Sequence, residues 1–158
     1  MKIDSQTVAI VVATILSPLI PTIISVIFFR INRKYEIRKL IEERLFKIQQ
    51  IAFEYPYVED DNFISGWNSF IERYKKGNKI EEKELWRYLQ YEQYCEMIFN
   101  LLELTLDFYK EEKELLQFID FKSWVRTHKE WWKNPIDEHS NYDTYSEKVI
   151  KLVEKWIK

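Results

Sequence analysis

Between Asp4 and Arg30 the chain carries no charged side chain, and residues 7–29 read TVAIVVATILSPLIPTIISVIFF, 23 residues that are almost all apolar. As a helix this run is about 34 Å long at ~1.5 Å per residue, enough to cross a hydrocarbon core of ~30 Å. A helix packed in a water-soluble core keeps a polar stripe. The 129 residues that follow are too few to wrap a helix that is apolar all round. A cleavable leader has a shorter apolar stretch, of ~7–15 residues, with basic residues in front of it, whereas here they come behind. Residues 7–29 are therefore expected to be a retained transmembrane helix, preceded by a short extracytoplasmic N-terminus, residues 1–6.

Charge sets the expected orientation. Arg30, Arg33, Lys34, Arg38, Lys39 and Arg44 follow the run closely, while only Lys2 and the amino terminus precede it, offset in part by Asp4. Basic residues stay on the cytoplasmic side. The N-terminus is thus expected outside the plasma (inner) membrane in a single-pass arrangement, with the C-terminal part cytoplasmic. Arg30, Arg33, Lys34, Arg38 and Lys39 then fall where anionic lipid headgroups sit, each contributing about 1 kcal/mol near the surface. Pro18 and Pro21 interrupt the run. Each removes a backbone hydrogen bond, so a kink is expected there; an inert anchor and an oligomer-forming or pore-lining helix both stay open. No charged side chain lies in the run to serve as a proton or ion relay.

Beyond the run the hydrophobic period is helical. Ile37, Leu40, Ile41, Leu45, Ile48, Ala52 and Tyr55 recur at three and four, which predicts a basic juxtamembrane helix over residues 30–55 ended by Tyr55-Pro56. Residues 56–158 are expected to form a helical bundle. A helix from Asp60 to Gly77-Asn78 carries Phe63, Ile64, Trp67, Phe70, Ile71 and Tyr74. A central helix runs from Glu81 to about Tyr109, and another helical piece lies over 111–119. Asp120 caps a helix in which Phe121, Trp124, Val125, His128, Trp131 and Trp132 share one side until Asn134-Pro135. Thr144-Tyr145-Ser146-Glu147 has the form of a capping box for a last helix bearing Val149, Leu152, Val153 and Trp156. No strand alternation or internal repeat is visible. The fold class is all-α: one N-terminal transmembrane helix and a cytosolic bundle of four to six helices.

Composition excludes the familiar chemistries. Two glycines leave no phosphate-binding Gly-rich loop, one cysteine leaves no internal disulfide or Cys-based zinc cluster, and two histidines leave no multi-histidine site. Cys95 reads as a small buried hydrophobe and His128 as a core histidine rather than a base. His139 reads as part of a solvated loop. No catalytic residue, metal site or cofactor is assigned. Tyr88, Glu92, Glu96, Asn100 and Glu103 stack along one helix face at spacings of three and four and read as a structural polar strip. Lys122, Arg126, Lys129 and Lys133 form a basic stripe, either a solvated face or a contact for the inner leaflet or a phosphate-bearing ligand. Residues 30–50 carry seven basic and three acidic groups, a net of +4, and residues 51–158 carry 16 and 22, a net of −6. An acidic body argues against nucleic-acid binding.

The pairing of Tyr88-Leu89-Gln90-Tyr91-Glu92 with Asn100-Leu101-Leu102-Glu103, and the Trp-bearing helix with Trp124 and Trp131 ending at Pro135, resemble a pattern in uncharacterised prokaryotic single-pass membrane proteins with an all-helical cytosolic domain. That resemblance covers most of the chain and implies architecture alone. The expected function is a membrane-anchored interaction or scaffold protein, homo-oligomeric or bound to a protein partner. The alternative is a membrane effector, as in antiphage defence, switched by a phosphate-bearing ligand or nucleotide signal and acting through its transmembrane helix.

Overall fold

The computed structural model describes the backbone of residues 5–109, 111–137, 139 and 141–158, with the side chains of Thr14, Ser17 and, over the same backbone, residues 19 onward. Every regular element among these residues is helical. They fall into two compact units, Met1–Leu40 and Ile41–Lys158. The first helix, α1 (Ser5–Glu54), contributes to both.

In the first unit α1 runs through positions 18 and 21 as one continuous helix. The side chain of Pro18 lies outside the described residues, and Pro21 is exposed. From Leu19 to Phe29 every side chain is exposed. Among the described residues no helix is long and apolar enough to cross a membrane. The expected span over 7–29 lies in large part outside them, since the side chains of 7–13, 15, 16 and 18 are not described.

The second unit begins at Ile41, so the latter part of the expected juxtamembrane helix belongs to the bundle. Ile41 and Ile48 of α1 are fully buried. Pro56 ends the helix as its sterics require, with Tyr55 at φ −125°, ψ 71° and a short 3-10 turn over Pro56–Glu59. The remaining helices are α2 (Asp61–Ser65), α3 (Trp67–Lys75), α4 (Glu82–Tyr109), α5 (Glu112–Phe118), α6 (Phe121–Thr127), α7 (Lys129–Lys133), α8 (Asn141–Thr144) and α9 (Glu147–Ile157). The long α4 is the centre of the unit, with Tyr91, Tyr94, Cys95, Ile98, Phe99, Leu101 and Leu102 all buried. It is apolar on most sides because neighbours cover most of it: α5, α6 and α9 all pack against it. Asp60 and Asp120 cap α2 and α6, accepting from Phe63 N at 2.9 Å and Ser123 N at 3.1 Å.

Three expected helices are cut or shifted. The helix anticipated over 60–77 breaks at Gly66, whose N–H turns back to Phe63 O (3.1 Å). The cause is Tyr88. Its ring stacks between Phe63 and Phe70, with centroids 4.4 and 4.3 Å away, and its hydroxyl donates to the same Phe63 carbonyl at 3.2 Å. A Cβ at position 66 would stand well inside contact distance of that hydroxyl. Gly66→Ala is therefore expected to destabilise the protein by about 1–3 kcal/mol, the range for overpacking a filled site. Adding Tyr88→Phe, which deletes the hydroxyl, should recover part of that loss in denaturant titrations.

The helix anticipated from Asp120 to Lys133 breaks at His128, which leaves helical geometry at φ −99°, ψ 21°. A straight helix sets adjacent side chains about 100° apart; here both Trp131 and Trp132 are nonetheless buried. The capping box is not used. Thr144 closes α8, and the N-cap of α9 is Ser146, with no side-chain cap bond. The Ser146 N–H instead donates to Glu103 Oε1 at 3.0 Å, a partner supplied by α4. Among the described residues beyond 56 the helical pieces are thus more numerous than the four to six expected.

Candidate functional site

Two buried polar centres lie along α4. The first is Glu92, only 6% exposed. Its Oε2 accepts from Trp131 Nε1 (2.6 Å) and its Oε1 from the backbone N–H of Ile136 (3.2 Å). Burial raises its pKa and outweighs those two hydrogen bonds, and the negative charges of Glu96 and Asp137 add to the rise, so the group titrates at about 7. One carboxylate thereby ties α4 both to α7 and to the segment beyond Pro135.

The second centre is His128, fully buried. Its Nδ1 shares a hydrogen bond with the Tyr91 hydroxyl at 2.9 Å. Its Nε2 has no hydrogen bond and stands 3.5 Å from Oε1 of Glu59. The Tyr94 hydroxyl donates to that same carboxylate oxygen. Burial pushes Glu59 upward, but the close approach of His128 Nε2 and the hydrogen bond from the Tyr94 hydroxyl prevail, so its pKa is lowered. Tyr91 and Tyr94 are raised, chiefly by burial, and so hold their protons as donors. Burial also raises the Cys95 thiol. His128 and Cys95 have no exposed surface through which to meet a dissolved substrate. What this network does chemically is orient: it fixes Glu59 from the core side.

Surface depressions among the described residues accompany these centres. A cleft of about 420 Å³ opens beside Glu59, between the end of α1 and the start of α6. A second, of about 590 Å³, is lined by Asp60, Glu81, Lys83, Glu84 and Arg87. The Arg87 guanidinium lies over the Tyr57 and Phe63 rings, 4.3 and 4.7 Å from their centroids. A third, of about 280 Å³, is an apolar groove between α1 and α4, with Ile51, Tyr55, Trp86, Leu89 and Met97 in its walls. Among the described residues no group of three or more His, Cys, Asp or Glu is arranged to hold a metal ion.

The polar strip read from the sequence does not act as one surface. Tyr88 and Glu92 are buried, Glu96 and Glu103 half-buried, and Asn100 exposed. Tyr88, Glu92 and Glu103 bond to three different segments, at Phe63, at Trp131 with Ile136, and at Ser146. Glu96 accepts from Gln93 (3.1 Å). The basic stripe is divided by the break at His128: Lys122 and Arg126 lie on α6, Lys129 and Lys133 on α7. Arg126 Nε donates to Trp156 O near the end of α9 (3.0 Å), and Lys133 lies 3.6 Å from Glu130. Arg30, Arg33, Lys34, Arg38 and Lys39 are all exposed on α1. His139 is exposed and its N–H donates to Asp137 Oδ1 (3.0 Å).

Glu59, Tyr91 and Tyr94 were not singled out by the sequence. Tyr91 and Tyr94, three apart on the face of α4 that receives His128, were the only available signal. Glu59 sits in a 3-10 turn with no periodicity to mark it. No family model, curated protein or solved structure matches the chain.

Proposed function

We propose that this chain is a membrane-anchored helical interaction protein that works by localisation rather than catalysis, with residues 7–29 as its anchor. The observation that carries this reading is the first unit of α1. Leu19, Ile20, Ile23, Ile24, Val26, Ile27, Phe28 and Phe29 are each 45–66% exposed. An apolar surface on all sides of a helix is costly in water, at roughly 25 cal/mol per Å², and stable in hydrocarbon. The exposed cations that follow, from Arg30 to Lys39, suit an anionic cytoplasmic leaflet, with the N-terminus outside and the second unit inside the cell.

The interaction role rests on apolar surface in the second unit. Phe46 and Phe53 are 68% and 89% exposed on α1, and Trp86 is 59% exposed at the edge of the apolar groove. The apolar groove with Trp86 at its edge is the surface offered to a protein partner or a second copy. An effector switched by a phosphate-bearing ligand draws less support. Arg126 and Lys133 already have partners, and the clefts carry carboxylates.

The test is fractionation of the full chain. The protein is expected in the membrane pellet after alkaline carbonate and high-salt washes, with a C-terminal tag accessible only from the cytoplasm. Ile20→Arg with Ile24→Arg, at about 2.5–3.5 kcal/mol per charge near the centre of a span, should abolish insertion. Complete release of the wild-type chain by carbonate would overturn the anchor.

A further inference from the structure

We infer that the second unit associates head-to-tail with further copies of this chain, the Phe46–Phe53 face of one α1 entering the apolar groove of the next. The inference rests on the membrane anchor proposed above, which holds all copies in one plane with one orientation. Ile41 and Ile48 mark the side of α1 that faces the core. At about 100° per residue, Phe46 and Phe53 stand roughly 140–160° around from Ile48, on the far side of the helix. Ile51 and Tyr55 flank the core side and, with Trp86, Leu89 and Met97 of α4, line the groove of about 280 Å³. One chain thus carries an aromatic ridge and an apolar groove on different faces. A contact between unlike faces is heterologous: each copy gives its ridge to one neighbour and its groove to another, so association continues beyond a dimer. Ridge and groove also lie at one level along α1, since Phe53 falls between Ile51 and Tyr55. Neighbouring α1 helices that point the same way, as a common anchor requires, meet there without an axial shift.

Charge and area both favour a second copy as the occupant. Glu42 is exposed one turn before Phe46 on the ridge face, and Arg44 and Lys47 are exposed on the groove side one to two turns before Ile51. In the parallel arrangement these opposite charges fall at matching levels. Glu54, also toward the groove, meets only the amides of Gln49 and Gln50 beside the ridge phenylalanines. Phe46, Phe53 and Trp86 are 68%, 89% and 59% exposed, or about 400 Å² of aromatic surface at ~150–250 Å² per side chain. A stable interface takes about 800 Å² from each partner. The patch is therefore too small to capture a partner from dilute solution. It suffices between copies confined to one membrane plane, whose association loses less translational and rotational freedom.

The test places the photoreactive residue p-benzoylphenylalanine at position 53 of the full chain, expressed in a bacterial inner membrane, which keeps the ridge aromatic. Irradiation is expected to give a ladder of dimers, trimers and larger multiples, with adducts mapped by mass spectrometry to residues 86–97 of a second copy. Glu42→Arg should weaken the ladder by about threefold, the size of an exposed ion pair, and adding Arg44→Glu with Lys47→Glu should restore it. All three positions are exposed, so circular dichroism should not change. Carbonate extraction of the same samples reads the anchor separately. A carbonate-resistant chain without multiples overturns the contact alone, a ladder from a carbonate-soluble chain overturns the anchor alone, and loss of both overturns both. Adducts on residues 46–53 of a second copy with nothing beyond a dimer would also overturn the contact. So would adducts confined to another protein, or a Glu42→Arg ladder equal to the wild type's.

Discussion

Glu92→Gln is expected to raise stability at pH 8 by up to about 3 kcal/mol while leaving it nearly unchanged at pH 4.5. In the native protein Glu92 titrates at about 7 because it is buried beside Glu96 and Asp137, against an ordinary value of 4.5. Between those two pH values the folded state keeps a proton that the unfolded state has already lost. Stability therefore falls as pH rises through the interval, by roughly 1.4 kcal/mol for each pH unit of displacement. The amide of Gln presents a carbonyl oxygen to Trp131 Nε1 or Ile136 N and has no charge to desolvate, so its stability does not fall over this range. Glu59 has the opposite sign: its lowered pKa gives stability that is lost on acidification. It is common to both proteins and cancels in the comparison. Denaturant titrations of both proteins at pH 4.5, 6 and 8, followed by tryptophan fluorescence, measure the difference directly. Parallel stability curves for the two proteins would show that Glu92 is not the titrating group.

Phe99→Ala is expected to cost about 3–5 kcal/mol, the range for deleting a fully buried aromatic ring. Phe99 has no exposed surface. Its ring lies 4.8 Å from Trp132 in a stacked arrangement and 5.1 Å from Trp131, with Tyr145 at 6.4 Å. It is the point at which α4, α7 and the start of the last helical segment meet. Removing it leaves two indoles facing a void that neither can fill without rotating away from its present partners, Glu92 for Trp131 and Tyr145 for Trp132. With total stabilities of ordinary domains near 5–15 kcal/mol, this single change consumes much of the margin. Trp86→Ala removes an even larger side chain from an exposed position and should shift stability by less than about 0.5 kcal/mol. Urea midpoints for the two variants check the contrast. A comparable loss for both would contradict the burial pattern.

Much of the local architecture was legible in the residues. Tyr55-Pro56, Gly77 and Asn134-Pro135 stop helices where expected, for reasons that act within a few residues: proline sterics at two of them and, at Gly77, a φ of 69° that a side chain would strain. Asp120 caps its helix for a similarly local reason. The apolar breadth of residues 97–109 announced a central helix, since a helix that is apolar on most sides has to be covered on most sides. The breaks at Gly66 and His128 were not legible. At each break the local residue meets side chains far along the chain, Tyr88 at Gly66 and Tyr91 with Glu59 at His128.

The candidate sites divide along the same line. Glu92 stood out as part of a strip at helical spacing, but spacing alone gave it the same weight as Glu96, Asn100 and Glu103. Burial and two N–H donors from α7 and its following loop separate it from them. The basic stripe at Lys122, Arg126, Lys129 and Lys133 was regular in sequence, yet α6 and α7 are separate helices and Arg126 serves the end of α9. The Glu59 cleft had no signature at all, because its walls come from α1, a 3-10 turn, α6 and the residues just before α6.

By itself, then, the sequence determined the helical fold class, the helix stops at Pro56, Gly77 and Pro135, and a 23-residue apolar run followed by a basic segment. Those properties depend on periodicity, proline and glycine stereochemistry and charge order, which act between near neighbours. Only the tertiary structure decided where the long helices break, which carboxylates are buried or oriented, and which residues border a cleft. Each of those is set by side chains that are distant in sequence and meet only once the core has closed.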